Sequence, residues 1–212
     1  HQVHLLMASS SSSEHTPPKT GTTKGRLGVF DLVRGVSVVS MVLFHLCYDL
    51  TFIAGHNLEW FEPPLQDVWR CSISWVFLFI AGCMCTLSRN NLRRALEYGC
   101  VALAIWVVTT VAAVDTPISF GIIYCMSACT LVAWALQRIR ALPRGYVAAA
   151  LLFVAFISLL GIADGTFGIG PWTLGLPQEL TLVEGLAWLG IPSASFSSGD
   201  YYPLLPYLLI YL

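Results

Sequence analysis

Five ionisable side chains recur along the first long apolar segment of the chain: Asp31, Arg34, His45, Asp49 and His56. At about 100° per residue, an α-helix that persists to His56 places all five within an arc of about 60°. An ionisable group in a membrane-spanning helix costs several kcal/mol unless it faces protein or water, so such groups are candidates for function. The spacing predicts a titratable stripe that faces the interior of a helical bundle.

Two interpretations are open for each inner member of this stripe. Asp31 and Arg34, at i and i+3, either neutralise each other as an ion pair or contribute to substrate binding. His45 is either a general base or a buried histidine bonded to a backbone carbonyl. Asp49, four residues later, can hold the imidazole of His45 in one tautomer and raise its basicity.

The outer end of the stripe is marked by Gly55, which predicts the end of the helix because glycine adopts the left-handed conformation of helix termini. His56 then opens an aromatic, acidic loop and is either a catalytic base or an ordinary loop histidine. Asn57 lies in the same loop, and Arg70 is a candidate to bind an anionic group. Arg70, near the outer end of the second apolar segment, has the alternative of extending to lipid headgroups.

The composition excludes a soluble globule. Of the 212 residues, 56% are hydrophobic and 11% are charged, whereas a soluble domain carries about 25% charged residues. The net charge of −1 gives no support to a nucleic-acid binder that relies on phosphate contacts. A multi-span membrane protein is the class that remains.

The apolar segments predict an all-α, polytopic transmembrane helical bundle, because about 20 apolar residues cross a bilayer. A truncated sixth span begins near Tyr202, which suggests the N-terminal part of a longer protein. Residues 1–25 are expected to form a disordered cytoplasmic tail, of which 1–6 precede the first methionine and are interpreted as upstream sequence. Residues 26–212 are expected to form the transmembrane domain. The Gly- and Pro-rich segment 164–201 contains a short amphipathic piece around 180–189. The five full spans are expected at 29–54, 71–88, 95–114, 118–137 and 145–163.

Basic residues predict the orientation. Nine of the eleven Lys and Arg residues flank the segments on one side, and the loops of the other side are acidic. The positive-inside rule therefore predicts a cytoplasmic N-terminus in a multi-pass protein of the plasma (inner) membrane. The nine are Lys19, Lys24, Arg26, Arg89, Arg93, Arg94, Arg138, Arg140 and Arg144.

The seven cysteines lie in apolar runs, where a thiol behaves as a small buried hydrophobe. Neither close pair, Cys83/Cys85 or Cys125/Cys129, has a second Cys or His pair nearby to complete a tetrahedral site. We expect free structural thiols and no metal.

Four sequence blocks carry a resemblance to a known family. The first comprises Phe30–Val36, Met41–His45 and Tyr48–Leu50, and the others, in order, are Phe77–Gly82, Phe120–Cys125 and Asp200–Pro206. Together they resemble, over residues 26–212, the catalytic-domain family of heparan-α-glucosaminide N-acetyltransferase, which also covers many uncharacterised bacterial proteins.

The resemblance implies transfer of an acyl group, expected to be acetyl, from acyl-CoA to an extracytoplasmic sugar or glycan. In eukaryotic members the catalytic histidine lies eleven residues after an asparagine; here His45 takes the asparagine position and His56 the histidine position. His56 is therefore the first candidate for base or acyl carrier, and His45 the alternative or a proton relay. Asp31, Arg34 and Asp49 would shape the passage, and Asn57 and Arg70 would bind substrate and stabilise its oxyanion. The implied partners are the lipid bilayer, acyl-CoA and a carbohydrate acceptor, and a homodimer is left open.

Two rival classes use the same stripe. A proton-coupled transporter or channel would employ the His and Asp side chains as a proton relay, although the sequence shows no inverted repeat. A haem-binding bundle would use His45 as an axial ligand, with Met41, Met84 or Met126 as the second. An assay with labelled acyl-CoA would distinguish an acyltransferase from both the transporter and the haem-binding bundle.

Overall fold

The computed structural model describes residues 28–113 and 115–212. The predicted tail of residues 1–25, and with it Lys19, Lys24 and Arg26, lies outside the described residues. The rest is an all-α polytopic bundle with a small β-hairpin in its last long connection. Its helices are α1 (Gly28–Tyr48), α2 (Leu65–Leu87), α3 (Asn91–Ala112), α4 (Ile122–Arg138), α5 (Tyr146–Leu159) and α6 (Leu204–Tyr211).

Within the described part of the chain, four helical segments are long and apolar enough to cross a membrane by length and composition: Gly28–Ile53, Leu65–Leu87, Asn91–Ala112 and Tyr146–Asp164. The fourth predicted span, 118–137, is shorter than expected, since α4 begins only at Ile122 and has 17 residues. The reason lies in the residues before it. Phe120 forms a parallel bridge with Tyr201, and its carbonyl accepts the N–H of Tyr202 at 2.7 Å, so this stretch is extended.

The end of the first span differs from the expectation of an α-helix that persists to His56. The α-helix ends at Tyr48 and continues as a π-helix over Asp49–Ile53. Gly55, at φ +72°, then terminates the helix as predicted, and the His56 N–H closes onto the Leu50 carbonyl at 2.8 Å. The prediction of one regular stripe is therefore wrong beyond Tyr48, because the wider turn changes the angular spacing.

The connection between α5 and α6 is largely irregular. Strands β1 (Thr166–Phe167) and β2 (Leu174–Gly175) pair antiparallel as a minimal hairpin. The predicted amphipathic piece around 180–189 is not one element: a 3₁₀-helix covers Gln178–Leu182, and Gly185 follows in the left-handed region at φ +89°.

The core lies where α2, α4 and α6 meet, with Leu78, Cys125, Cys129 and Tyr211 fully or almost fully buried. Two hydroxyl pairs link the helices across this core: Thr130 with Tyr211 at 2.7 Å, and Ser74 with Tyr202 at 2.5 Å. Helix α3 packs on α4, α5 packs on α6, and α1 packs on α2. Helices α1, α3 and α5 therefore lie around this core, each with one side against a neighbour and most of the rest exposed.

The two ends of the bundle differ in charge. The α2–α3 and α4–α5 connections share one end, called here the basic end. These connections and the adjoining helix ends carry Arg89, Arg93, Arg94, Arg138, Arg140 and Arg144. The opposite, acidic end holds the α1–α2, α3–α4 and α5–α6 connections with their carboxylates. The predicted split of charges is therefore present in the described part of the fold.

Candidate functional site

Three cavities between α1 and the rest of the bundle meet at His45 and Asp200. The acidic mouth, about 380 Å³, opens at the acidic end. The central pocket, about 50 Å³, lies against α2 and contains Ser74 and Tyr202. The lateral cleft, about 640 Å³, lies between α1 and α3. His45 and Asp200 line all three cavities, so this pair marks the point from which each is reached.

The acidic mouth is rich in carboxylates. Four of them line it, from the π-helix after α1, from α2, from the α3–α4 connection and from the segment before α6. Arg70, which supplies the one guanidinium in this lining, pairs with Asp67 at 3.4 Å, and the Tyr48 hydroxyl donates to Asp115 at 3.4 Å. The mouth therefore has an excess of acidic side chains over basic ones. The four carboxylates are Asp49, Asp67, Asp115 and Asp200.

Asp200 is placed by a close approach between two loops. The Gly199 N–H donates to the Pro117 carbonyl at 3.2 Å, and a side chain at Gly199 would overlap the carbonyl of Thr116. The backbone N–H groups of Ile122 and Tyr201 lie near the Asp200 carboxylate and act to lower its pKa. Asp200 is therefore placed beside the N-terminus of α4, where unpaired N–H groups and the helix dipole favour an anion.

Burial and nearby groups have opposing effects on the pKa of Asp200. Burial raises its pKa above the usual 3.8, while Arg70, the two backbone N–H donors and His45 act to lower it. Because burial outweighs these interactions, the net pKa of Asp200 is raised. A carboxylate of raised pKa that faces a histidine is typical of sites that move protons.

Tyr202 closes the central pocket behind Arg70. Its hydroxyl meets Ser74 Oγ, which itself donates to the Arg70 backbone carbonyl at 2.8 Å. Burial, followed by the charge of Asp200, raises the pKa of Tyr202 to about 12. The phenol therefore stays neutral at physiological pH and serves as a hydrogen-bond donor.

A fourth cavity, the basic pocket, lies nearer the basic end and measures about 110 Å³. Arg34 of α1 and Arg94 of α3 both line it, and Arg94 contacts the Tyr98 hydroxyl at 3.3 Å. Ile123 lines this pocket and also the lateral cleft. Cavities thus follow the inner side of α1 from near the basic end to the acidic mouth.

The predicted site residues separate into three places. His45, Asp49 and Arg70 come together around the acidic mouth. Arg34 lies in the basic pocket and pairs with Asp31 at 3.9 Å, which is the ion-pair interpretation of these two residues. The catalytic and binding roles assigned to these residues from the sequence stay predictions.

His56 and Asn57 lie elsewhere. Both are exposed in the connection after α1, and neither is among the residues that line the cavities described above. Their catalytic and binding roles stay predictions.

Sequence reasoning missed Asp200, Asp67 and Asp115 as members of one site. Asp200 opens the last of the four matching blocks, which was the one signal that could have singled it out. The other two are acidic loop or helix-end residues without a distinctive spacing. In residues 28–113 and 115–212, no three His, Cys, Asp or Glu side chains form a group that could hold a metal ion.

Comparison with known proteins gives one match. No curated protein and no solved structure matches the chain significantly. The model of the family described as heparan-alpha-glucosaminide N-acetyltransferase, catalytic, matches residues 26–212, which include every helix of the bundle and all four cavities. A multi-pass helical fold with a polar site between its helices agrees with a membrane acetyltransferase. The chain belongs to the heparan-alpha-glucosaminide N-acetyltransferase catalytic family.

Proposed function

We propose that the protein transfers an acetyl group from acetyl-CoA on the cytoplasmic side to an amine on the extracytoplasmic side of a plasma (inner) membrane. The observation that carries this proposal is the set of four cavities along α1, three of which meet at His45 and Asp200 while the basic pocket lies nearer the basic end. Such a route lets a cytosolic donor and an external acceptor reach one base. The family's N-acetyl transfer supplies the reaction type.

In this reaction His45 acts as the general base. The neutral acceptor amine attacks the thioester carbonyl carbon, a C–N bond forms, and the C–S bond breaks. His45 takes the proton that the amine nitrogen loses and returns it to the departing CoA sulfur. The products are an N-acetyl amide and CoA thiol. An imidazole suits this role because its ordinary pKa lies near neutrality.

The charge of the acidic mouth supports an amine as acceptor. A protonated amine is attracted by Asp49, Asp67, Asp115 and Asp200, whereas an anionic glycan would be repelled. The same carboxylates hold the ammonium form while it releases one proton to water at the mouth, and the neutral amine that results is the nucleophile. An amino sugar of the kind named by the family fits these requirements, and carbohydrate is therefore the proposed acceptor class.

The donor is proposed to enter from the basic end. The arginines of that end predict a cytoplasmic location by the positive-inside rule. Arg34 and Arg94 line the basic pocket, and Arg34 lies about 16 Å along α1 from His45 at 1.5 Å per residue. Cytosolic acetyl-CoA would thus meet positive charge before its acetyl group reaches the base.

The choice between the two histidines is open to experiment. The family resemblance favours His56, and the cavities favour His45, with Asp49 one turn away. Full-length chain in liposomes is incubated with radiolabelled acetyl-CoA and a soluble glucosamine glycoside. His45→Ala should abolish labelling of the acceptor, while His56→Ala, the matched control, should retain most of it. The opposite result would move the base to His56.

A transporter remains the rival class. Proton flux through these liposomes without labelling of any acceptor would favour it over the acetyltransferase. Label that stays on the protein and disappears in one histidine variant would instead identify that histidine as an acyl carrier.

A further inference from the structure

The lateral cleft is an apolar cavity beside the site that the reaction above does not use. Its walls are Met41, Val42 and Leu46 of α1 with Val101, Ala102 and Ile105 of α3, and α4 forms its floor. With about 640 Å³ it is larger than the acidic mouth at about 380 Å³. An acetyl group does not need an apolar space of this size.

The cleft opens towards the bilayer. Helix α1 packs on α2 and α3 packs on α4, so the gap lies between two helices of membrane-spanning length. Val42, Leu46 and Val101 are 61%, 51% and 50% exposed. A hydrocarbon chain can therefore enter sideways from the membrane without leaving apolar surroundings.

One end of the cleft is polar. His45, Asp49 and Asp200 line both the cleft and the acidic mouth, while the remaining cleft walls are almost wholly apolar. The two cavities together therefore match an amphiphile. A cationic head at the carboxylates is complementary in charge to the mouth, and a chain attached to it would extend into the cleft.

We propose that the acceptor is a membrane-anchored amine: an amphiphile whose amino head enters the acidic mouth and whose hydrocarbon chain lies in the lateral cleft. This inference rests on the proposed function and adds the class of acceptor. The group transfer is unchanged, since the amine nitrogen gains the acetyl group and CoA leaves as the thiol. The acceptor reaches His45 by diffusion within the membrane plane.

The test compares two acceptors with the same head. Dodecyl and methyl glycosides of glucosamine are offered, with labelled acetyl-CoA, to the full chain in liposomes, and rates are expressed per acceptor at the membrane. Ala102→Phe fills the cleft from α3, and Ala104→Phe makes the same change on α3 outside the cleft lining. Ala102→Phe should lower kcat/KM for the dodecyl glycoside at least tenfold and change that for the methyl glycoside less than twofold. Ala104→Phe should alter neither.

Val42→Trp, from the opposite wall, serves as the second variant where Ala102→Phe lowers the unfolding temperature. An equal loss of kcat/KM for both acceptors, or no loss for the dodecyl glycoside with either cleft variant, overturns the proposal. The cleft would then be occupied by bulk lipid or by another helix. Normal transfer to the methyl glycoside in that case leaves the proposed function standing. Absence of transfer to both acceptors by the parent protein overturns the proposed function itself.

Discussion

The carboxylate of Asp200 lies beside the backbone N–H of Ile122, the first residue of α4. The same side chain faces the site, since Asp200 lines the cavities that meet at His45. The anion is favoured at a helix N-terminus, yet burial raises its pKa. The position of this carboxyl group therefore favours its charged form through the helix N-terminus and disfavours that form through burial.

Asp200→Asn should stabilise the protein at neutral pH. A carboxyl group whose pKa is higher in the folded state contributes full stability below its unfolded value, and that stability is lost as the pH rises through the folded pKa. Asparagine keeps an oxygen to cap α4 and carries no charge to bury. The unfolding temperature of the variant should exceed that of the parent at pH 7, with a smaller difference at pH 4. Asp164→Asn, at an exposed position, should show no such trend, and a less stable Asp200→Asn at pH 7 would contradict the assignment.

The same substitution should reduce activity. Arg70, His45 and Asp200 all line the central pocket, and loss of the carboxylate removes an anion that helps to hold a cationic acceptor beside His45. We expect kcat to fall about tenfold, or about 1.4 kcal/mol in the barrier, and the step of the pH–rate profile that follows ionisation of Asp200, whose pKa burial raises, to disappear. A lower rate with an unchanged profile would indicate a purely structural role.

His45 and His56 give a second prediction through conservative exchange. His45→Gln keeps a polar side chain of similar size and removes the base, so kcat should fall about 10²- to 10⁴-fold. His56→Gln should leave kcat within a few-fold, because His56 is exposed outside the described cavities. Acetylation rates at saturating acceptor measure both. Substantial activity in His45→Gln together with an inactive His56→Gln would restore His56 as the base.

The class of fold was predictable from the sequence, and the site only in part. Apolar length and the low charged fraction are local properties of the chain, and they identified the helical bundle and the division of charge between its ends. The helix end at Gly55 was also predictable, because a left-handed residue follows from glycine itself. By contrast, the π-helix over Asp49–Ile53 has no sequence signal of comparable strength.

Asp200 shows why the rest was not predictable. Its position beside His45 depends on a loop contact between Gly199 and Pro117 and on the extended stretch before α4. Such contacts join segments far apart in sequence, and periodicity carries no information about them. His45 and Asp49 were found because they share one helix, whereas Asp200 comes from another part of the chain.

The charge of the acidic mouth gives a third prediction. Asp115 lies at its rim and accepts hydrogen bonds from Tyr48 and from the Thr116 N–H. Asp115→Asn should raise KM for an amine acceptor about two- to fivefold, consistent with up to about 1 kcal/mol for an exposed charge, and leave kcat unchanged. The increase should shrink in high salt because mobile ions screen exposed charges. Asp164→Asn, outside the lining of the mouth, is the matched control. A KM that changes neither with Asp115→Asn nor with salt concentration would argue against electrostatic attraction of a cationic acceptor.

The contact between α2 and α6 gives the last prediction. Gly82 lies so close to the Tyr211 carbonyl that any side chain there would overlap backbone, which cannot rotate away. Gly82→Ala should therefore destabilise the bundle by about 1–3 kcal/mol, the usual range for overpacking. Gly35→Ala, in α1 with open space around the added methyl group, is the control and should keep or slightly raise the unfolding temperature.

The same contact should also affect activity. Helix α2 carries Arg70 and Ser74, and α6 begins shortly after Asp200, so a shift between these helices should move the two walls of the central pocket apart. Gly82→Ala should consequently lose acetyl transfer at temperatures where it is still folded, and full activity up to its unfolding temperature would show that the pocket does not depend on this contact.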